Sequence, residues 1–379
     1  MIRKFSIIIS VCVLFAVSLS VSAQNQTPFF EKGTVVNPSV KGEINAYPVT
    51  LRTSAGNLLT IYTFIAPNTN SDGKIHGSIS RDNGKTWSSP FLVLDLPKNF
   101  EGDPAVIVDG NRVLVYASSV IPPNKINKSE IWLASSEDEG KTWSSPVEIK
   151  TPYNYFVGKR HLGLKLKDGT LVMPASYDIW AQLDSTTPAK TEGEMDLKAG
   201  VMLSKDGINW TPHIDLHILV QKVTPFATNG VVEPAIVELA DGSLYMLMRT
   251  GTTKLYESRS RDGGKTWDIP TPSSLTAHNT PASLWRDDKN PNEIIVIWNN
   301  SPRYRYPLSV SISKDGGRNW SLPKNVAESK DNLQIAYPGI TQDKDGNFIA
   351  TWQEQLPSGE GRAIRFARFN RAWVLAGEK

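Results

Sequence analysis

The sequence has a single cysteine, Cys12, and no long run of charge of one sign. One cysteine excludes an internal disulfide and a cysteine-rich metal site. The 41 lysines and arginines nearly balance the 38 aspartates and glutamates, and they do not cluster, so nothing predicts binding to nucleic acid or to an anionic membrane. Helical periodicity of useful length is also lacking, which favours a core built from β-strands.

The first 23 residues have the pattern of an export signal. Two basic residues, at positions 3 and 4, precede an apolar stretch from Ile7 to Val21. The small residues Val21-Ser22-Ala23 then stand where a signal peptidase cuts. A membrane anchor is the alternative, but the apolar stretch is short for a span. We therefore expect a secreted or periplasmic protein that begins at Gln24 and has no membrane span after cleavage.

A short turn motif, Ser-x-Asp-x-Gly-x-x-Trp, repeats along the chain. Full copies begin at Ser80, Ser136, Ser260 and Ser313, and a shortened copy begins at Ser204. The residue types predict a tight turn, because Ser and Asp side chains bond to nearby backbone groups, Gly accepts a positive φ and Trp packs on the adjoining strands. A calcium loop is the alternative, but its later ligands are missing. We expect structural turns and no metal site.

Six segments predict β-hairpins, since apolar alternation flanks a turn rich in Gly, Asp or Asn in each of them. They are Pro48–Tyr62, Pro104–Tyr116, Leu162–Ala175, Pro234–Met248, Pro281–Trp298 and Pro338–Trp352. A repeated unit of roughly 50 to 60 residues with four strands is typical of a propeller blade. The sequence therefore predicts an all-β chain in which residues 24–379 form one six-bladed β-propeller with four-stranded antiparallel blades. A seven-bladed fold would need a blade that the sequence does not contain.

The first strand of each propeller blade lies nearest the axis, so the residues that open these strands should converge on a central funnel. They are Ala46, Tyr47, Asp103, Arg160, His161, Glu233, Thr280 and Tyr337. The loops that follow the second strands open on the same face and add Asp72, Tyr177, Asp178, Arg249, Arg303 and Arg305. A funnel with tyrosines, carboxylates and several arginines suits an anionic ligand.

The Asp-rich turns and the six hairpins resemble the sialidase (neuraminidase) superfamily over essentially the whole mature chain. The segment from Val232 to Arg249 is similar to the one in which a catalytic Glu opens an inner strand and an Arg of the carboxylate clamp closes the next. This resemblance implies those roles for Glu233 and Arg249. The segment from Ala336 to Gly346 resembles the one that bears the tyrosine nucleophile, which implies that role for Tyr337.

Two further family positions have candidates. The segment ahead of the last Asp-rich turn resembles the one that carries another clamp arginine, which Arg305 or Arg303 would supply. Asp72 falls where the family keeps its general acid. Four other residues are candidates for substrate contact because they stand at the starts of blades around the funnel: Tyr47, Asp103, Arg160 and His161.

One part of the family pattern is missing. Sialidases normally open the first blade with an Arg two residues before a Pro, and here Ala46 stands at that place. The clamp is therefore reduced to Arg249 and Arg305 unless Arg52 or Arg160 reaches the funnel. This departure leaves the identity of the acidic sugar open.

The residue types also suit one particular reaction, in which a tyrosine attacks the anomeric carbon of a glycoside. A glycoside with a carboxylate on its anomeric carbon repels an anionic nucleophile, whereas the neutral phenol of Tyr337 can approach if Glu233 removes its proton during attack. Asp72 would protonate the leaving oxygen. This chemistry predicts hydrolysis with retention through a covalent tyrosyl intermediate. Together with it, the resemblance implies an exo-sialidase that takes a glycan with a terminal acidic sugar, and the sequence indicates no cofactor.

Two other functions remain open from the sequence. One is a propeller lyase or hydrolase for a glycan with uronic acid or rhamnose, with His161 or a Tyr as base. The other is an inactive carbohydrate-binding propeller. In that case Tyr337 would be a packing aromatic residue, and Glu233 would be a structural carboxylate paired with Arg249.

Overall fold

The computed structural model describes residues 26–69, 72–97, 99–120, 129–151, 156–157, 162–178, 196–225, 227–329 and 331–377. Strands dominate these residues and pair into sets of four, which we number as blades. Blade 1 contains β2 (Ile44–Arg52), β3 (Leu58–Ile65), β4 (Gly73–Ser80) and β5 (Phe91–Leu94). Blade 2 contains β6 (Phe100–Asp109), β7 (Arg112–Val120), β8 (Ser129–Ser136) and β9 (Val147–Ile149).

The third blade begins with two short pieces, β10 (Phe156–Val157) and β11 (Leu164–Lys165), which both pair with β12 (Leu171–Asp178). It continues with β13 (Asp196–Ser204) and β14 (Thr211–Leu216). Blade 4 contains β15 (Asn229–Glu238), β16 (Leu244–Thr250), β17 (Lys254–Ser260) and β18 (Thr271–Thr276). Blade 5 contains β19 (Ser283–Arg286), β20 (Ile294–Asn299), β21 (Leu308–Ser313) and β22 (Lys324–Ala327).

The sixth blade joins the two ends of the described chain. Its first three strands are β23 (Ile335–Gln342), β24 (Phe348–Gln355) and β25 (Arg362–Phe369), and its outer strand is β1 (Phe30–Val36), which pairs antiparallel with β25. The sequence pattern does not predict this strand, because β1 is not part of a hairpin. A short helix, α1 (Arg371–Leu375), follows β25.

The first strands of successive blades contact one another in a ring, from β2 round to β23 and back to β2. Between neighbouring blades the apolar faces pack together, as where Leu59 and Ile61 of blade 1 share a buried cluster with Val113 and Val115 of blade 2. The predicted all-β fold with four-stranded antiparallel blades is confirmed, and each predicted hairpin corresponds to the first two strands of a blade.

The Asp-rich turns have the predicted hydrogen bonds. In the first copy the Ser80 hydroxyl donates to Asp82 Oδ1 (2.8 Å), and the N–H of Gly84, at a φ of 87°, donates to Ser80 Oγ (2.8 Å). The hydroxyl and N–H of Thr86 both donate to Asp82 and lower the pKa of its carboxyl to about 2. These turns join the third and fourth strands, so they lie at the end of the propeller opposite to the starts of the inner strands.

None of the helices in the described part of the chain has the length and apolar character needed to cross a membrane. The predicted signal segment, residues 1–23, and the cleavage point before Gln24 lie outside the described residues. The export signal therefore stays a prediction.

Strand β1 offers a test of ring closure. A side chain at Gly33 would overlap the ring of Phe366 in β25. We expect Gly33→Val to lower the free energy of unfolding by about 1–3 kcal/mol, the usual cost of overpacking. Lys32→Val, at the exposed neighbouring position of the same strand, should change it by less than about 0.5 kcal/mol. Urea denaturation followed by tryptophan fluorescence would measure the free energy of unfolding of both variants. Equal effects of the two substitutions would contradict this account of the pairing between β1 and β25.

Candidate active site

Four inner strands share one distortion near their starts. In β2, β6, β15 and β23 the pairing with the next strand shifts at a residue followed by proline, which is a β-bulge. The residue before each proline has a left-handed backbone: Tyr47 (φ 56°), Asp103 (φ 54°), Glu233 (φ 49°) and Tyr337 (φ 54°). Such conformations cost about 1–3 kcal/mol each and tend to occur at functional sites. All four had been predicted to open onto the funnel.

Contacts between blades hold three of these bulges. In each, the backbone N–H of the left-handed residue donates to a side chain on the second strand of the preceding blade. The bonds join Tyr47 N to Gln353 Oε1 (3.1 Å), Asp103 N to Thr63 Oγ1 (3.2 Å) and Glu233 N to Ser176 Oγ (3.3 Å). The strained backbone is thus satisfied only in the assembled ring, and sequence reasoning missed these three acceptors.

Tyr337 lies between an aromatic residue and a guanidinium group. Its ring meets that of Tyr47 edge to face, with centroids 4.9 Å apart. Arg305 Nη1 donates to Tyr337 Oη (2.8 Å), and the same guanidinium group lies 5.1 Å from the centre of the Tyr337 ring. The phenol is buried, with 9% of the residue exposed, and its oxygen faces a positive charge.

Arg305 and Arg303, the two alternatives for one clamp position, differ in their surroundings. Arg303 is exposed, and its backbone N–H donates to Ser301 Oγ (3.2 Å). Arg305 is half-buried and donates to Tyr337 Oη and to the carbonyl of Asn279 (2.8 Å). These partners of Arg305 are neutral, and among the described residues no carboxylate lies within ion-pair distance of its guanidinium group.

Glu233 and Arg249 form a buried ion pair. Arg249 Nη1 donates to Glu233 Oε2 (3.1 Å), and the two side chains are 3% and 2% exposed, respectively. Arg249 Nε also donates to Asn279 Oδ1 (2.9 Å). This pairing is the one that a structural role for Glu233 requires, so a catalytic role for its carboxylate stays a proposal.

The pKa of His278 is affected by the positive charges of two arginines. Burial lowers the pKa of its imidazole, and the charges of Arg305 and Arg249 lower it further. The ring nitrogen Nδ1 lies 3.1 Å from the carbonyl oxygen of Pro302. Both guanidinium groups therefore contribute positive charge at His278.

Asp72 lies in the loop between β3 and β4, on the funnel face. Its backbone N–H donates to the Thr69 carbonyl (2.9 Å). Its charge raises the pKa values of Lys74 and Glu101, although other causes contribute more to each of them. The charge of Asp72 therefore acts on Lys74 of blade 1 and on Glu101 of blade 2.

Glu101 is a buried carboxyl that sequence reasoning missed. Burial, and to a smaller extent the charges of Asp95 and Asp72, raise its pKa to about 7. Leu96 N donates to Glu101 Oε2 (3.1 Å), and the Ser119 hydroxyl donates to Oε1 (3.0 Å). Its position two residues before Asp103 was the only sequence signal.

Arg52 and Arg160 were the two candidates to replace the missing clamp arginine, and the described residues include only Arg52. Arg52 does not reach the funnel, because it lies at the far end of β2 and binds Asp288 (2.6 Å) together with the carbonyl oxygens of residues 342 and 343. Ala46 is completely buried. Arg160 and His161, both predicted to contact substrate, lie outside the described residues.

The fifth blade differs from the sequence prediction. Thr280 was expected to open it toward the funnel, but its hydroxyl donates to Asn299 Oδ1 (2.8 Å) within the buried part of the blade. The preceding residue, Asn279, has the left-handed backbone instead (φ 44°).

Among the described residues, no group of three or more His, Cys, Asp or Glu side chains could hold a metal ion.

Residues 56–349 match the family model described as a BNR repeat-like domain. The chain belongs to this family, within the sialidase superfamily. A sialidase from Bacteroides fragilis (strain YCH46) is 30% identical over 319 residues, which are 72% of this chain and 53% of the relative. This BNR repeat-like chain thus spans about half the length of that relative.

Solved structures share the fold of this BNR repeat-like propeller. Trypanosoma rangeli sialidase has a TM-score of 0.70 at 16% identity, covering 92% of this chain and 61% of that one. A protein of unknown function from Dyadobacter fermentans DSM 18053 also has a TM-score of 0.70 at 16% identity, covering 90% of this chain and 98% of that one. The sialidase resemblance found in the sequence is therefore confirmed at the level of family and fold.

Glu101 gives a pH-dependent stability. Its pKa is about 7 in the folded protein against an ordinary value of 4.5, so the folded state binds its proton more tightly than the unfolded state does. The resulting stabilisation is complete below about pH 4.5 and is lost as the pH rises through 7. A glutamine at this position has no such proton to lose. As the pH rises from about 4.5 to 7, we therefore expect the free energy of unfolding of Glu101→Gln to increase relative to that of the wild type.

Urea unfolding at pH 4.5, 6 and 8 would measure the effect. Glu137→Gln, on an exposed turn, is the matched control and should run parallel to wild type at every pH. A constant difference between Glu101→Gln and wild type would contradict the raised pKa.

Proposed function

We propose that this protein is a glycoside hydrolase of the exo-sialidase type, which releases a terminal acidic sugar from glycans. The observation that carries the proposal is Arg305: its partners are neutral oxygen atoms, and it lies 2.8 Å from the phenol oxygen of Tyr337. A guanidinium group without a carboxylate partner retains its positive charge for a ligand anion. A reactive hydroxyl beside such a group suits a substrate whose carboxylate adjoins the bond to be broken.

The catalytic roles follow from the residues present. Tyr337 Oη attacks the anomeric carbon while Glu233 takes the phenol proton, and the bond to the leaving oxygen breaks as Asp72 protonates that oxygen. Water then attacks the same carbon and releases the sugar with retained configuration, with Asp72 as the base and Glu233 returning the proton to the phenol. Arg305 favours the first step, because its N–H donor stabilises the negative charge that develops on the phenol oxygen.

The carboxylate of the sugar would bind to Arg305 and Arg249. With Ala46 at the position of a third arginine, one charge-assisted contact worth about 1.5–3 kcal/mol is missing. Sialic acid is the leading substrate, in agreement with the sialidase from Bacteroides fragilis among the relatives. A related keto-sugar or uronic acid is the variant that the smaller clamp would favour.

The expected site of action follows from the sequence. The basic start, apolar stretch and small residues of positions 1–23 support export by a cleaved signal. We therefore place the enzyme in the periplasm or outside the cell.

Tyr337→Phe tests the nucleophile. Removing the phenol oxygen should lower kcat for a fluorogenic sialoside by more than about 1,000-fold. Tyr62→Phe is the matched control, since Tyr62 is buried elsewhere in blade 1 and its hydroxyl has no hydrogen-bond partner among the described residues; it should keep the wild-type rate.

Three outcomes would contradict the proposed reaction. Full activity of Tyr337→Phe would exclude the tyrosine mechanism. A rise in ultraviolet absorbance during digestion would indicate an unsaturated product and hence elimination rather than hydrolysis. A wild-type protein that binds acidic glycans and cleaves none of them would favour the carbohydrate-binding alternative, in which the Glu233–Arg249 ion pair is purely structural.

Arg305→Ala tests the clamp. We expect KM for the sialoside to rise at least about ten-fold, because a charge-assisted contact to the carboxylate is lost. Arg303→Ala should have a much smaller effect, since Arg303 is exposed. Arg261→Ala, on the opposite face in an exposed ion pair with Asp268, controls for the loss of one surface charge. Equal KM values for the first two variants would contradict the assignment of Arg305.

A further inference from the structure

Asn279 precedes β19 of blade 5 and is the residue through which the two arginines are joined. Its Oδ1 accepts from Arg249 Nε (2.9 Å), and its backbone oxygen accepts from Arg305 Nη2 (2.8 Å). Oδ1 also accepts from the hydroxyl of Thr228 (3.1 Å), which lies just before β15. A single residue thus bonds to both guanidinium groups through two different oxygen atoms.

The backbone of Asn279 makes this double contact possible. Its φ of 44° lies in the left-handed region, which Asn tolerates better than most other residues. In this conformation the side-chain oxygen reaches Arg249, at the end of β16, while the carbonyl reaches Arg305, in the loop after β20. The sequence offered only a weak signal, an Asn two residues before Pro281.

Neutral acceptors suit this position. An arginine side chain loses about 2 kcal/mol of rotamer entropy when it is fixed, and Asn279 holds both guanidinium groups before a ligand arrives. A carboxylate in its place would hold them equally well but would offset the charge of Arg305 and add a second negative charge beside Arg249, which already pairs with Glu233. With Ala46 in place of a third arginine, the clamp depends on the spacing of these two groups.

We propose that Asn279 is a positioning residue that fixes the separation and orientation of Arg249 and Arg305 for a planar carboxylate. The inference rests on the proposed function, in which these arginines bind the carboxylate of the sugar. Asn279 acts through the arginines and takes no part in bond breaking. Its loss should therefore affect substrate binding more than the chemical step.

Asn279→Gly is the most direct test, because glycine accepts the left-handed backbone and keeps the carbonyl that binds Arg305 while removing Oδ1. We expect KM for the fluorogenic sialoside to rise about ten-fold, the loss expected for a contact that orients a charged group, with kcat changing less than about three-fold. Asn83→Gly is the matched control. Asn83 also has a left-handed backbone (φ 62°), but it lies in an Asp-rich turn on the opposite face.

Crystal structures of the variants give a readout that does not need activity. In Asn279→Gly the Arg249 guanidinium should move by more than about 0.5 Å, the tolerance within which such groups must be held. In Asn279→Asp, which keeps an acceptor at the same place, it should stay where it is in the wild type. Unchanged thermal unfolding of Asn279→Gly and Asn279→Asp would show that blade 5 remains folded.

The outcomes separate the two proposals. Wild-type KM in Asn279→Gly, or an Arg249 guanidinium that stays in place, would overturn the role of Asn279 and leave the hydrolase proposal intact. A wild-type protein that cleaves no acidic glycoside would refute the hydrolase, and the crystallographic comparison would still decide whether Asn279 positions the arginines.

Discussion

Closure of the ring is the constraint on which the rest of this structure depends. Inside blade 6, β1 from the start of the described chain pairs with β25, and at the seam between blades 6 and 1, β2 contacts β23. Tyr337 opens β23 and Tyr47 opens β2, so the edge-to-face contact of their rings spans this seam. The proposed nucleophile therefore has its aromatic neighbour only when the first and last parts of the chain have met.

Contacts that form when the ring closes hold the residues with a left-handed backbone in the geometry of the site. Tyr47, Asp103 and Glu233 each occupy a backbone conformation that costs free energy, and each has its N–H bonded to the blade before it. The packing of one blade on the next thus stabilises a geometry that no isolated hairpin would keep. Rigid strands with side chains re-aimed by bulges hold a site more accurately than loops do.

The parts of the molecule that could be predicted are those that depend on residues close together in the sequence. Apolar alternation and turn residues predicted the blades, and residues placed before proline at blade starts pointed to Tyr47, Glu233 and Tyr337. Strand β1 escaped prediction because its partner is more than 300 residues away. Asn279 and Glu101 escaped because their importance lies in contacts made across the fold, and no local pattern distinguishes Arg305 from Arg303. The export signal remains a prediction, since the described residues do not include it.

The joining of both chain ends in blade 6 has a topological consequence. Phe29 N donates to Asn370 Oδ1 (3.1 Å), Asn370 Nδ2 donates to the carbonyl of Thr27 (2.8 Å), and the ring of Phe30 stacks on Trp373 with centroids 4.3 Å apart. A short peptide linker between these points would turn the described chain into a circle without altering a blade. Residues 26–377 are thus suited to circular permutation, with new ends opened in a turn of another blade, and a domain fused at either end of these residues would leave from the same side of the ring.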